Sequence, residues 1–197
     1  DALLECEHGL LLPLRGSTVA RRATTRQGVD GVMGAWRWQH RRMADATRPT
    51  VSVRPVRADD HERWAILFRA YRDFYRLEPD EAVVDRVWSW LMDASHEVGG
   101  LVAEADGRVV GIAHHRSFAR PSTGTTGIWL DDLYADEPAR GMGVGRALIA
   151  HLGGIAALEG ASVVRWITAE DNVTAQRLYD RVATRTRWLT YDAVPGA

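Results

Sequence analysis

The sequence contains no lysine, so its 25 basic Lys or Arg residues are all arginine. It has one cysteine, Cys6, which excludes a disulfide within the chain and a zinc site built from cysteines. No apolar run reaches membrane length, because the early run at residues 10–14 is short and is broken by Pro13. We therefore expect a cytoplasmic protein with no metal and no membrane partner.

The charge balance argues against nucleic acid as a partner. The chain has a net charge of -1, with 8 arginines against 5 acidic residues in residues 1–50 and 17 against 21 in the remainder. Phosphate-rich partners favour a basic face, which the mildly acidic remainder does not offer. A length of 197 residues and a hydrophobic content of 46% are typical of one globular domain with an extension.

A glycine-rich turn at residues 140–146, R-G-M-G-V-G-R, separates an apolar run from a helical pattern. A strand that enters a helix through such a turn presents unpaired N–H groups at the positive end of the helix dipole, where phosphate groups bind. The spacing G-x-G-x-G differs from the dinucleotide fingerprint, and a nucleoside-triphosphate loop requires lysine. The turn predicts another phosphate-bearing ligand, or else a helix start that binds nothing.

Apolar spacing and turn signals predict an α/β domain with the element order β-α-α-β-β-β-α-β-α-β and helices on both faces of a mixed sheet. Strands are expected at residues 51–56, 101–105, 109–113, 128–134, 163–168 and 188–191. Residues 106–107, Asp-Gly, favour a hairpin turn, and a polar loop is expected at residues 116–126.

Four helices are predicted from their start signals and apolar faces. Asp59 with Glu62 resembles a capping box, Asp80 and Asn172 are expected to be N-cap residues, and the remaining helix begins near Val144. The apolar stripes of the first two helices are interpreted as core: Trp64, Leu67, Tyr71, Phe74, Val84, Val87, Trp88 and Leu91.

Residues 1–49 lack sustained periodicity, and we interpret them as a poorly ordered N-terminal extension before a domain at residues 50–197. The patch at residues 36–42, W-R-W-Q-H-R-R, is either a basic-aromatic binding element or a short helix or solvated tail. We favour the second interpretation.

Arg140, Gly143 and Gly145 match the pattern [Arg/Gln]-x-x-G-x-[Gly/Ala], which resembles the coenzyme A pyrophosphate loop of the GNAT superfamily of N-acetyltransferases. The strand L-D-D-L-Y at residues 130–134 and the segment at residues 172–179, N-x-x-A-x-x-L-Y, resemble two further signatures. The resemblance covers residues 51–192 and is greatest to the small polyamine and histone N-acetyltransferases. It implies the GNAT fold and direct transfer of an acetyl group from acetyl-CoA to a primary amine.

The resemblance also implies how acetyl-CoA would bind. The N–H groups of residues 141–146 would hold the pyrophosphate, and the pantetheine arm would pair along residues 133–135. The Leu133 N–H would stabilise the oxyanion, a contact worth about 3 kcal/mol. The expected cofactor-binding residues are Leu133, Tyr134, Ala135, Arg140, Gly141, Met142, Gly143, Val144, Gly145, Arg146, Asn172 and Ala175.

Two side chains are expected to move protons. An alkyl ammonium of pKa about 10.4 must be deprotonated before it attacks, at a cost of roughly 4–5 kcal/mol at pH 7. Asp131 is the preferred base, with Asp132 and Glu170 as alternatives, and strand alternation puts the two aspartates on opposite faces. The resemblance implies that Tyr179 protonates the departing thiolate, although it also lies on an apolar stripe and could be core.

Other features leave the acceptor open. One of His114 and His115 could reach the acceptor cleft, but we favour their interpretation as partly exposed structural residues. The acids Glu78, Asp80 and Glu81 favour a cationic acceptor such as a polyamine, a lysine-like amine or a basic peptide. A non-catalytic acyl-CoA-binding module and a protein N-acetyltransferase are the alternatives. An exposed final strand at residues 188–191 would favour a homodimer.

Overall fold

The computed structural model describes residues 50–196. The predicted extension at residues 1–49, with its patch at residues 36–42, lies outside the described residues. The strands are β1 (Ser52–Pro55), β2 (Gly99–Ala105), β3 (Arg108–Arg120), β4 (Thr125–Ala135) and β5 (Val164–Arg165). The helices are α1 (His61–Phe74), α2 (Glu81–Met92), α3 (Val144–Leu158) and α4 (Val173–Val182).

The five strands form one mixed sheet in the order β1-β2-β3-β4-β5. The first four strands are antiparallel to their neighbours, whereas β5 runs parallel to β4. The predicted hairpin turn is confirmed, since Asp106 and Gly107 both have positive φ angles, 50° and 72°. This is the backbone twist that joins two strands through a two-residue turn.

Helices cover both faces of the sheet, as predicted. Alternation along β2 sends Val102 toward α1 and α2 and Leu101 toward α3, so each face has its own buried cluster. Trp64 and Leu67 of α1 are buried on the first face, and Leu148 and Leu152 of α3 are buried on the second.

The helix starts follow the predicted caps at two of three positions. The Asp80 carboxylate accepts hydrogen bonds from the Ala82 and Val83 N–H groups, and Asn172 Oδ1 accepts one from Ala175 N–H at 3.2 Å. The predicted capping box at Asp59 is wrong. A short 3-10 turn, Ala58–Asp60, precedes α1, and Asp60 accepts the Arg57 N–H at 2.7 Å.

Several predicted boundaries also differ from the structure. β3 and β4 extend through most of the predicted loop at residues 116–126, because each strand supplies the hydrogen-bond partners of the other. Phe74, predicted as core, is 50% exposed because it lies at the last residue of α1.

The predicted strand at residues 188–191 is absent from the described fold. Its apolar alternation fits a strand, but the segment has no strand neighbour, and Trp188, Leu189 and Tyr191 are 85%, 77% and 86% exposed. β5 is likewise limited to two residues of the predicted 163–168. A strand forms only where a partner satisfies its backbone groups.

Candidate active site

A cleft opens where β4 and β5 separate. The two strands pair only at Ile128 with Val164 and at Trp129 with Arg165, whereas β4 continues to Ala135. Beyond Arg165 the chain diverges from β4 and leaves a cavity of about 330 Å³. The cavity is lined by residues 166–169 and by Tyr71, Tyr75, Leu130, Asp131, Leu133 and Tyr179.

Asp131 is the extra residue of a β-bulge in β4. In the β3–β4 register His114 is opposite Asp132 and His115 is opposite Leu130, so Asp131 has no opposite residue. A bulge bends its strand and interrupts the simple alternation of side chains. The bend lies where β4 separates from β5. The two neighbouring aspartates have different surroundings there, because Asp131 lines the cleft whereas Asp132 contacts His114.

The surroundings of Asp131 suit a group that accepts a proton. Burial raises the pKa of Asp131, and the Arg116 guanidinium, with Nε 3.3 Å from Oδ1, opposes part of that shift. A base is most effective when its pKa lies near the working pH, so the upward shift favours this role. Of the alternatives, Asp132 is held by His114, and Glu170 is not among the residues that line the cleft. The base assignment stays a prediction.

Tyr179 reaches the cleft from α4. Its ring lies edge-on to that of Trp166, with centroids 5.3 Å apart, and packs at the margin of the α3-side core. Burial, and to a lesser extent the nearby Tyr75, raises the pKa of Tyr179 to about 12. The hydroxyl therefore keeps its proton at neutral pH. From the sequence, packing in the core and a position in the active site were alternatives for Tyr179. In the structure its side chain does both.

The N-terminus of α3 is open to a ligand. Gly141 and Gly143 have φ angles of 84° and 92°, a conformation that favours glycine, and a Cβ on either would meet no atom within 4 Å. Gly143 is the N-cap residue and provides no side-chain cap. Within this loop the Met142 N–H is already used, since it donates to the Ala139 carbonyl at 3.2 Å.

Gly145 has a different role from the two glycines before it. A Cβ there would lie 2.9 Å from Leu178 Cδ2 and 3.5 Å from Leu133 Cδ2. The residue therefore permits α3 to approach α4 and the cleft side of β4. As a consequence, the first turn of α3 lies beside residues that line or adjoin the cleft.

The other predicted cofactor-binding residues lie around this loop or at the start of α4. The exposed Arg140 side chain contacts Glu137 Oε1 at 2.9 Å and lies 6.0 Å from the centre of the Tyr134 ring. Asn172 caps α4 through the Ala175 N–H, which was one of its two predicted roles. The Tyr134 side chain is buried in the core under α1, so only its backbone is available to a ligand.

Thr168 supplies an independent indication of where a ligand contacts the cleft. Its Oγ1 is buried and has no hydrogen-bond partner among the described residues, and the side chain lines the cleft. An unpaired buried hydroxyl costs free energy, so such an atom in a cleft marks a place for a ligand group. Amide groups like those of a pantetheine arm can both donate to and accept from a hydroxyl. The cleft residues therefore fit coenzyme A.

Some cleft residues were not predicted as part of the site. Tyr71 was assigned to the core, and Tyr75, Trp166 and Thr168 were not singled out. His114, interpreted as partly exposed, is 2% exposed and does not line the cleft. Tyr71 and Tyr75 lie one helical turn apart. This spacing of two aromatic residues with polar hydroxyl groups is the sequence feature that could have indicated a cleft lining.

The comparisons with known proteins agree with this fold and site. The model of the acetyltransferase (GNAT) family matches residues 64–183. The D-amino-acid N-acetyltransferase HPA3 of Saccharomyces cerevisiae is 29% identical over 143 residues, which cover 72% of this chain and 89% of that protein.

Solved structures of acetyltransferases share the fold. A ribosomal-protein-alanine N-acetyltransferase from Brucella melitensis biovar Abortus 2308 superposes with a TM-score of 0.62 at 23% identity, covering 75% of this chain and 100% of that one. The aminoglycoside N-acetyltransferase AAC(6')-Iy in complex with CoA has a TM-score of 0.62 at 17% identity, covering 75% and 96%.

The chain belongs to the GNAT acetyltransferase family. It is an acetyltransferase, and enzymes of this family use acetyl-CoA as co-substrate. In residues 50–196, no helix has the length and apolarity that a membrane span requires. The same residues contain no group of three or more His, Cys, Asp or Glu side chains arranged to hold a metal ion.

Proposed function

We propose that this enzyme transfers the acetyl group of acetyl-CoA to the primary amine of a small molecule by direct attack, with no covalent enzyme intermediate. The observation that carries the proposal is that Asp131 of the bulged β4 and Tyr179 line one cleft, and that the uncapped start of α3 lies beside it, where Gly145 approaches Leu133. We assign to these three features a phosphate site, a proton acceptor and a proton donor for one ligand.

The proposed binding roles use three features of the fold. The first-turn N–H groups of α3 and the Arg140 guanidinium hold the pyrophosphate, where the helix dipole favours negative charge. The open edge of β4 at residues 133–135 binds the pantetheine arm like an added strand, and Thr168 Oγ1 bonds one of its amides. The Leu133 N–H stabilises the carbonyl oxygen as it gains charge, which is typically worth about 3 kcal/mol.

The proposed proton transfers use the two titratable side chains of the cleft. Asp131 takes a proton from the amine, directly or through water. Tyr179 gives its proton to the thiolate that leaves. The raised pKa of Tyr179, about 12, makes it a weaker acid than free tyrosine, so the transfer is favourable only late, once thiolate charge has developed. The same apolar surroundings raise the pKa of a buried thiol and reduce this mismatch.

The proposed acceptor is a small cationic amine. The rings of Tyr71, Tyr75, Trp166 and Tyr179 line the cleft together with the Asp131 carboxylate, a combination that suits an ammonium group. Polyamines and lysine-like amines fit this description. An amino acid is the second candidate, because the yeast relative is named for D-amino acids and Arg116, beside Asp131, offers a cation for a carboxylate.

One panel of acceptors tests the proposal. Purified enzyme is incubated with acetyl-CoA and one acceptor at a time. The acceptors are spermidine, Nα-acetyl-lysine, D- and L-amino acids, the methyl esters of these amino acids and a lysine-containing peptide. Mass spectrometry then detects the acetylated product. Activity with free amino acids but not with their esters favours the Arg116 interpretation. Activity only with the peptide favours a protein acetyltransferase. Acetyl-CoA binding without any product would indicate a non-catalytic acyl-CoA-binding module.

A homodimer is part of the proposal. Trp188, Leu189 and Tyr191 are largely exposed near the end of the described chain, and a patch of exposed apolar and aromatic side chains favours association with a second copy. Sedimentation equilibrium of the wild type and of Trp188→Ser tests this. A monomeric wild type at micromolar concentration would contradict it.

A further inference from the structure

Three hydrogen-bonded side chains connect α1 to the bulge of β4. The Trp64 Nε1–H donates to His114 Nε2 at 2.9 Å, and His114 Nδ1 lies 2.8 Å from Asp132 Oδ2. Trp64 and His114 are 1% and 2% exposed, so water does not compete with the bond between them. The three residues belong to α1, β3 and β4, and this indole–imidazole–carboxylate chain therefore ties three elements together.

The chemistry of the donors determines the direction of this chain. An indole N–H can only donate, so His114 Nε2 must accept and the ring proton lies on Nδ1. That Nδ1–H donates to the Asp132 carboxylate. Both ring nitrogens of His114 are thus occupied by partners of opposite kind, which fixes the orientation of the ring between α1 and β4.

The carboxylate end of the chain lies at the bulge. His114 is directly opposite Asp132 in the β3–β4 register, whereas Asp131 has no opposite residue. Pairing of the backbone therefore constrains Asp131 only through its two neighbours in β4. The bond between the His114 and Asp132 side chains adds a second cross-strand contact at one of those neighbours. It holds the strand in place where Asp131 lines the cleft.

The indole end of the chain begins a row of aromatic rings along α1. The ring centres of Trp64 and Phe68 are 5.1 Å apart, those of Phe68 and Tyr71 are 6.1 Å apart, and those of Tyr71 and Tyr75 are 5.1 Å apart. Spacings of three and four residues place all four rings on one side of the helix. Tyr71 and Tyr75, at the end of the row, line the cleft. A fixed Trp64 therefore sets where these two tyrosines lie relative to the sheet.

We propose that the three residues of the indole–imidazole–carboxylate chain are positioning residues for the acceptor amine. The chain holds the two walls of the acceptor site together, with the two tyrosines of α1 on one wall and Asp131 on the other. None of the three residues touches the substrate. The inference rests on the proposed function, in which Asp131 takes the proton of the amine. A displacement of about 1 Å can cost about a hundredfold in rate, so loss of the chain should impair use of the acceptor.

Two substitutions of His114 each keep one half of the chain. A glutamine amide reaches the position of Nε2 and can accept from Trp64, whereas an asparagine amide occupies the position of Nδ1 and can donate to Asp132. His114→Asn should therefore release α1 and mainly raise the KM of the amine. His114→Gln should release the bulge and mainly lower kcat. Each variant should lose roughly tenfold to a hundredfold in kcat/KM for the amine, with an unchanged KM for acetyl-CoA.

A pair of substitutions at Asp132 separates its hydrogen bond from its charge. In Asp132→Asn the amide oxygen can still accept the His114 Nδ1–H, whereas Asp132→Ala leaves that N–H without its partner. The asparagine variant should therefore retain several times more kcat than the alanine variant. Equal losses in the two variants would mean that the carboxylate acts through its charge, as a base does, and would overturn the positioning role.

His115→Gln is the matched control because it makes the same change at the next residue of β3. Alternation along β3 directs the His115 side chain to the opposite face of the sheet from His114. Its backbone flanks the same bulge, opposite Leu130. This variant should keep the kcat and both KM values close to those of the wild type. A loss equal to that of His114→Gln would show that any change beside the bulge has this effect, and would overturn the assignment to the chain. An unchanged CoA-induced rise in Tm shows that each variant folds.

Histidine nitrogen spectra give a readout that does not depend on activity. Long-range ¹H–¹⁵N spectra of the wild type should show His114 with its proton on Nδ1. A proton on Nε2 instead would exclude the bond from Trp64 and overturn the inference. An active wild type whose two His114 variants keep the kcat and the KM of the amine would overturn this inference alone. A wild type that acetylates no amine would overturn the proposed function and this inference together.

Discussion

The Tyr179 ring meets the Trp166 ring edge-on at a centroid distance of 5.3 Å, and this contact joins α4 to the segment that follows β5. The two elements form one wall of the cleft, opposite the bulged part of β4. Because the phenol ring is fixed by packing, removal of its hydroxyl should leave the wall intact. The position thus allows chemistry and packing to be tested separately.

Tyr179→Phe should lower kcat by about a hundredfold or more, the usual contribution of a positioned general acid, and leave the dissociation constant of acetyl-CoA nearly unchanged. Steady-state kinetics and calorimetric titration with acetyl-CoA measure the two quantities. The active form is protonated and its pKa is about 12, so wild-type kcat should not decline through loss of this proton below about pH 10. An undiminished kcat in the variant would remove Tyr179 from the mechanism.

Thr168→Val should stabilise the free enzyme but weaken its response to ligand. The substitution removes a buried hydroxyl that has no partner among the described residues, which relieves about 1–2 kcal/mol of desolvation cost. If that hydroxyl bonds the pantetheine arm, the increase in Tm produced by saturating CoA should be smaller in the variant. Thermal melts with and without CoA measure both effects.

The control for this experiment is Thr174→Val, on the exposed side of α4. It should change neither the Tm of the free enzyme nor the CoA response appreciably, because an exposed hydroxyl is solvated in both states. A Thr168→Val enzyme that keeps the full CoA-induced shift would exclude Thr168 from cofactor binding.

The element order was predictable because each main element carries its own local signal. The Asp106-Gly107 turn, the Asp80 and Asn172 caps and the apolar stripes are short-range features that tertiary contacts did not override. The boundaries were less predictable, since the lengths of β3 and β5 depend on which strand lies alongside. Residues 188–191 have strand-like composition, and composition alone does not supply a partner.

The cleft itself depends on features that periodicity cannot reveal. A bulge adds one residue without changing the composition of its strand, so alternation could not indicate that Asp131 is unpaired. Tyr71 lies at a helical core spacing, and only the structure shows that its side chain lines the cleft. The glycine turn was recognisable by spacing, but the separate task of Gly145 depends on the approach of Leu178.

Gly143→Ala should reduce both stability and affinity for CoA. At a φ of 92° an alanine is strained by about 1–3 kcal/mol whatever space surrounds it, and relaxation of the loop would turn the first-turn N–H groups of α3 away from the phosphate. Urea denaturation and CoA titration measure the two losses.

Gly153→Ala is the matched control because it changes the same residue type in the same helix. Gly153 is exposed inside α3, and a Cβ there meets no atom within 4 Å. The substitution should stabilise the protein by about 0.5–1 kcal/mol through the higher helix propensity of alanine, with no change in CoA affinity. Equal CoA affinity in wild type and Gly143→Ala would mean that the loop conformation does not determine phosphate binding.

Asp60→Asn should destabilise the protein in a pH-dependent way. Arg54 bonds both Asp60 oxygens, at 2.7 and 2.8 Å, and also contacts Glu104, and Asp60 is 6% exposed. The hydrogen bond from Arg54 lowers the pKa of Asp60, against the opposing effect of burial. Loss of one partner of a largely buried pair should cost about 2–4 kcal/mol at pH 7.

The sign of the pH effect follows from the lowered pKa of Asp60. Its ionised form contributes stability above the unfolded-state pKa of about 3.9, and this contribution disappears as pH falls through the folded-state pKa. The stability difference between wild type and Asp60→Asn should therefore be largest at pH 6–7 and shrink steadily below about pH 4. Urea denaturation at several pH values measures it. Asp59→Asn, at the exposed neighbouring position, should show no such convergence. A difference that is constant from pH 7 to pH 3 would mean that Asp60 acts through packing rather than through its charge.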